Sequence, residues 1–201
     1  MEKLTVGILI FNGMQVLDFA GPFDVFATTR LKDKPALSDP SPFNVLLISE
    51  YPRPVYASGG MKVSPHHTIN YSPPLDILIV PGGIGEREAH SNHVLLHFIR
   101  SQAKTVKTLA SVCTGSIILG KAGLLNGRKA TTHWMSIERM RKMLPEVEVV
   151  ENVRYVEDGN VITSAGISSG IDMALRIVAI HHGEEIAQAT AKELEYPYRQ
   201  Q

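Results

Sequence analysis

Four short apolar runs, Leu4–Phe11, Phe43–Ser49, Leu75–Val80 and Val106–Val112, constrain the fold of this chain more than any other feature. Each has strand length and β-branched content. Three of the four are nearly unbroken hydrophobics, where a strand with one wet face would alternate. Such strands need cover on both faces, as in a parallel sheet between layers of helix. Stretches of helical period lie between them. Pro22–Leu31 puts Phe23, Phe26 and Ala27 on one face, with Gly21-Pro22 setting a proline in the first turn. Val94–Ala103 and Ser116–Leu125 follow, the second ended by Gly123 and Asn126-Gly127. The alternation predicts right-handed βαβ units and an α/β fold, a doubly wound, mainly parallel sheet flanked by helices.

Two hairpins are expected to decorate this sheet. Pro54–Tyr56 and Met61–Val63 flank Gly59-Gly60, and Val153–Val156 and Val161–Ser164 flank Glu157-Asp158-Gly159-Asn160. Helices are predicted from Ser169 to His181 and from Glu184 to Leu194, and Lys32–Pro42, with three prolines, as a surface loop. With 201 residues and neither repeat nor linker, residues 1–201 read as one domain. Lys plus Arg and Asp plus Glu both number 20, so there is no surplus of cations for a nucleic-acid partner. The apolar run Val6–Phe11 is too short to span a membrane or to form a signal-peptide core. One cysteine forms no internal disulfide, which suits a reducing cytoplasm.

That cysteine carries the chemical expectation. In Val106-Lys-Thr-Leu-Ala-Ser-Val-Cys-Thr-Gly-Ser-Ile-Ile-Leu-Gly120 the chain passes from strand to helix at Cys113, with small residues two before and two after it, Ser111 and Gly115. A nucleophile elbow needs that spacing, because its turn crowds the backbone at both flanks. A helix N-terminus favours thiolate over thiol, and thiolate is the reactive form. The ordinary alternative is a buried cysteine acting as a small hydrophobe. Leu75-Asp-Ile-Leu-Ile-Val-Pro-Gly-Gly83 ends a second strand in glycines; there Gly82 and Gly83 let backbone N–H groups approach a ligand, as an oxyanion hole requires.

With these motifs in order, the chain resembles the ThiJ/PfpI superfamily, whose fold is that of the class I glutamine amidotransferases and flavodoxin-like. The resemblance is carried by Leu17-Asp18-Phe19-Ala20-Gly21-Pro22-Phe23-Asp24-Val25-Phe26, Asp76-Ile-Leu-Ile-Val-Pro-Gly-Gly83, Ala110-Ser-Val-Cys-Thr-Gly115, Ala130-Thr-Thr-His-Trp134 and Ser164-Ala-Gly-Ile-Ser-Ser-Gly-Ile-Asp172. An aspartate before Gly-Pro together with Cys-Thr-Gly is most similar to the isonitrile hydratase branch. The resemblance implies a cysteine hydro-lyase without cofactor or metal, adding water to an isonitrile through a Cys113 thioimidate, with Asp18 as the acid. By itself Asp18, just before Gly21-Pro22, reads as a helix N-cap, and the resemblance makes it the catalytic acid. Thr114 stands where PfpI-type peptidases carry histidine, so proteolysis is disfavoured and Thr114 is expected to orient the substrate. His133, in Thr-Thr-His, is a candidate base by similarity to the family's deglycases.

Two rival functions follow from the same likeness: a glyoxalase- or deglycase-like activity on α-oxoaldehydes, and a ligand- or redox-sensing module related to the sensor domains of AraC-type regulators. Those regulators add a helix-turn-helix region; with Gln201 soon after the last helix, no DNA-binding extension is expected here. The resemblance implies a homodimer acting on a small electrophile; the charge balance and the short apolar run point away from nucleic acid and membrane. Asp24 reads as a surface carboxylate. His90, His93 and His97 fall on one face of a predicted helix, a weak metal signal without a carboxylate beside them. Trp134 is expected in the core, against a pocket or dimer contact.

Overall fold

The protein was studied as a computed structural model that describes residues 2–31 and 39–198. In chain order the elements are β1 (Leu4–Leu9), α1 (Val16–Thr28), β2 (Phe43–Ser49), β3 (Val55–Tyr56), β4 (Lys62–Val63), β5 (His67–Thr68), β6 (Ile77–Val80), α2 (Glu86–Ala89) and α3 (His93–Gln102). They continue as β7 (Thr108–Ser111), α4 (Gly115–Lys121), β8 (Lys129–Ala130), α5 (Ile137–Met143), β9 (Glu148–Val149), β10 (Tyr155–Asp158), β11 (Val161–Ser164), α6 (Ser169–His182) and α7 (Glu184–Glu193).

The central sheet has the order β10-β11-β7-β6-β1-β2-β5. Every neighbouring pair from β11 to β5 is parallel; β10 alone runs antiparallel, on β11. This is the expected α/β architecture, and the apolar runs explain it. Ile77, Leu78 and Ile79 are consecutive and fully buried, so both faces of β6 are covered. Each such side chain contributes about 1.5–3 kcal/mol relative to exposure. The sheet is also wound so that its chemistry meets at one edge. The loops after β11, β7, β6 and β1, four adjacent strands, all leave from their C-terminal ends, and the order reverses beside β1, where open α/β sheets bind ligands.

Three elements differ from expectation. The second hairpin is no appendage: β11 pairs with β7 inside the main sheet, Ile162 opposite Ala110, and β10 closes its edge. Burial of all four residues of β11 accounts for this. The first hairpin, β3–β4, does stand apart. Helix α1 begins at Val16, six residues before Pro22, and carries that proline inside it. Its first turn is capped from outside, by the Ser58 hydroxyl accepting the Val16 N–H at 3.2 Å, so no local cap marks the start. Asp18 is therefore a helical residue and not an N-cap. Of the predicted loop Lys32–Pro42, residues 32–38 lie outside the described residues.

Candidate functional site

Cys113 lies between β7 and α4 with φ of 56°, the left-handed region that a non-glycine residue enters only when its surroundings force it. The forcing contacts are visible. The Cys113 N–H donates to the carbonyls of Ser164 and Ala165 at 3.2 and 3.1 Å, and its carbonyl accepts from Ser116 Oγ and Thr132 Oγ1 at 3.1 and 3.0 Å. Gly115 has no alternative: a Cβ there would come 2.1 Å from the Val80 carbonyl oxygen. The small residue two after the cysteine is thus a packing requirement between α4 and β6.

Three further strand ends converge on this turn. From the β1 side, Asp18 is wholly buried, and its Oδ2 accepts the Gly82 N–H at 3.0 Å. Its other oxygen, Oδ1, is buried without a hydrogen bond. From the β6 side, the Gly83 N–H donates to Thr114 Oγ1 at 3.1 Å. The two glycine N–H groups read from the sequence as oxyanion donors are thus already bonded to protein acceptors, holding the acid and the threonine. Close packing explains it: a Cβ on Gly82 would lie 2.5 Å from the Thr114 nitrogen. From the β11 side, Ile167 also has a left-handed backbone, φ 53°, and its N–H joins that of Thr114 in stabilising a Cys113 thiolate. A β-branched residue in that region is strained, so the surrounding loop holds it there.

The electrostatics correct the thiolate expectation. Burial raises the Asp18 carboxyl to about 7, a shift opposed by the Gly82 N–H and by Cys113. Burial also raises the thiol, with the Asp18 charge adding to it, to about 12; the Thr114 and Ile167 N–H groups only moderate this. Cys113 is 6 % exposed, and desolvation of an anion there outweighs the end of a seven-residue helix. The resting pair at neutral pH is a thiol beside a carboxylate on the edge of protonation.

His133 follows Thr132, whose hydroxyl donates to the Cys113 carbonyl, and its own contacts run elsewhere. Its Nδ1 accepts the Met135 N–H at 3.3 Å, and its ring lies on Gly166, where a Cβ would be 2.1 Å from Cδ2. Burial holds the ring below its ordinary pKa. Trp134, expected inside, is 76 % exposed and Met135 71 %, because the single turn they share faces solvent. Asp24 is exposed, as read. The histidine face is broken: His90 ends α2 and bonds Glu86 at 2.7 Å, whereas His93 opens α3. Among the described residues, no group of three or more His, Cys, Asp or Glu is placed to hold a metal. Nor is any helix long and apolar enough to cross a membrane. Sequence reasoning missed Ile167, and nothing local marks it, because the group it contributes is a backbone N–H that every residue but proline carries.

The family model described as DJ-1/PfpI matches residues 4–180. The chain is 39 % identical to the isonitrile hydratase of Pseudomonas putida over 194 residues, 96 % of this chain and 78 % of that protein. It is 30 % identical to the transcriptional regulator GbdR of Pseudomonas aeruginosa over 193 residues, 96 % of this chain but about half of the regulator, at 50 %. Among solved structures, a ThiJ/PfpI family protein of Pseudomonas syringae superposes with a TM-score of 0.85 at 30 % identity, covering 100 % of this chain and 78 % of that one. Drosophila melanogaster DJ-1beta shares the fold at a TM-score of 0.83 and 23 % identity, covering 98 % of this chain and 100 % of its own. Motif order, sheet order and sequence identity agree, and the chain belongs to the DJ-1/PfpI family.

Proposed function

We propose that this protein is a cofactor-independent isonitrile hydratase, with Cys113 as nucleophile and Asp18 as the group that moves its proton. The carrying observation is the buried thiol–carboxylate pair, in which Asp18 titrates at about 7 and has a free oxygen, Oδ1, for a proton. A general base works best with a pKa near the working pH. Likeness to the Pseudomonas putida enzyme over 96 % of the chain supports the substrate class.

The chemistry follows from the pair. As Cys113 Sγ bonds to the terminal isonitrile carbon, Asp18 accepts the thiol proton and then returns it to that carbon. The product is a thioimidate, R–N=CH–S–Cys113. Water adds across the C=N bond, its hydroxyl to carbon and its proton to nitrogen. Collapse breaks the C–S bond, and the hydroxyl proton passes to sulfur, leaving R–NH–CHO and the free thiol. The N–H groups of Thr114 and Ile167 stabilise sulfur as it becomes anionic in both half-reactions. Gly82 and Gly83 serve by holding Asp18 and Thr114. The scheme draws no proton from His133, whose Nδ1 accepts the Met135 N–H. Peroxide sensing is disfavoured, because sensor thiols are exposed and low in pKa, whereas this one is buried and raised to about 12.

The test sets wild type and Cys113→Ala against a simple alkyl isonitrile and against methylglyoxal, with formamide followed by NMR. The expected result is formamide production by wild type, rising with pH through about 7 as Asp18 ionises, and its loss in the variant by at least about 10³-fold. Formamide production that survives in Cys113→Ala, or methylglyoxal consumption without any formamide, would overturn the reading.

A further inference from the structure

One buried charged cluster has no part in this chemistry. Glu86 opens α2, three residues after Gly83, and its side chain is only 1 % exposed. Arg139 of α5 grips it with both fork nitrogens, Nη1 on Oε2 at 2.7 Å and Nη2 on Oε1 at 3.0 Å, and His90 closes on Oε1 at 2.7 Å. A bidentate guanidinium fixes orientation as well as charge. The cluster spans two chain segments that flank Cys113. On one side the Glu86 N–H donates to the Gly83 carbonyl at 3.1 Å, so α2 starts directly from the loop whose N–H groups hold Asp18 and Thr114. On the other side α5 continues from the turn that His133 caps, next to Thr132 on the Cys113 carbonyl.

We propose that Glu86 and Arg139 are positioning residues: their ion pair clamps the Gly82–Gly83 loop to the segment 132–139 and so keeps the Gly82 N–H on the Asp18 carboxylate. This deepens the hydratase reading, because it names what sets the proton-carrying group. The clamp's electrostatic surroundings are simple. Glu86 faces Arg139 and His90, and the one charged residue of α4, which packs on α2, is the exposed Lys121. Asp18 has Cys113 as its titratable neighbour; Asp172, on the helix packed against α1, is closed on Arg154 and Tyr196. The Gly82 N–H stabilises the Asp18 carboxylate, so loosening it must shift the first ionisation of the Asp18–Cys113 pair upward.

The experiment measures the rate of Cys113 alkylation by iodoacetamide against pH. It compares wild type, Arg139→Lys, and the double variant Glu86→Leu/Arg139→Met, which removes both charges and leaves neither buried alone. Iodoacetamide makes the readout independent of the natural substrate. Circular dichroism identifies the variants that are folded at the assay temperature. The expected result is an acid limb raised by about half a pH unit in the double variant, slowing alkylation about twofold at pH 7 and about threefold at pH 6, with a smaller shift in Arg139→Lys. A folded variant lacking the fork that keeps the wild-type limb would overturn the proposal, since a purely structural pair lowers melting temperature without moving an ionisation. If the limb moves but wild type hydrates no isonitrile, the clamp stands and the hydratase reading falls.

Discussion

Two carboxylates are buried at the same edge of the sheet and are treated in opposite ways. Glu86 receives an arginine fork and a histidine, with both of its oxygens in ion pairs. Asp18, equally shut off from water, receives one backbone N–H and a thiol, and no cation. Burying a charge without a counter-charge raises a carboxyl's pKa, whereas a counter-charge keeps it ionised. The first arrangement makes a fixed joint and the second makes a proton carrier. The contrast teaches that burial alone does not mark a working acid; the missing cation does.

The largest test of this contrast is to take the proton away from Asp18 altogether. Asp18→Asn keeps the shape and the contact to the Gly82 N–H but cannot accept the thiol proton, so kcat/KM for isonitrile hydration should fall by about 10²–10⁴-fold. A fall of less than about fivefold would show that the carboxylate is not the base.

The same variant gives the next effect in size, on stability. Asp18 titrates at about 7 when folded against 3.8 as a model carboxyl. A raised acid binds more protons in the native state between those values, so wild type loses stability as pH rises from about 4 to about 7 and then levels off. Asp18→Asn escapes that loss. In urea denaturation it should exceed wild type by up to about 4 kcal/mol at pH 8, with the gap closing below pH 4. A gap independent of pH would mean that Asp18 is not held out of its ordinary range.

The smallest effect is expected at the paired carboxylate, with the opposite sign. Arg139→Met strands Glu86 as a buried charge, which costs about 3 kcal/mol, the lower end for broken buried pairs, because the arginine itself is partly exposed. Equal urea midpoints for wild type and variant would remove the distinction drawn between the two acids.

The sequence made the sheet legible where the signal was local. Phe43–Ser49 is a strand with those bounds because its centre, Val45 to Ile48, is apolar throughout and its flanks are Pro42 and Glu50. It failed where the decisive partner was distant. The start of α1 was hidden because its cap, Ser58, lies 42 residues away, while Gly21-Pro22 imitates a local start. At the site, Asp18, Cys113 and Thr114 were legible together through motifs of known order. The thiol's acidity was not, because the helix-end rule is local, whereas the burial that overrides it comes from four strands and their loops. Glu86 sits in Gly-Glu-Arg-Glu, where nothing local marks burial; Arg139, 53 residues on, supplies the fork that makes its burial tolerable.

The left-handed backbone at Cys113 sets fold and chemistry against each other. Glycine would occupy φ 56° without strain, so Cys113→Gly relieves roughly 1 kcal/mol or more of backbone cost while destroying the only thiol in the chain. Holding a side chain at this backbone angle costs energy that a glycine turn would not, so the turn is strained in order to present the thiol.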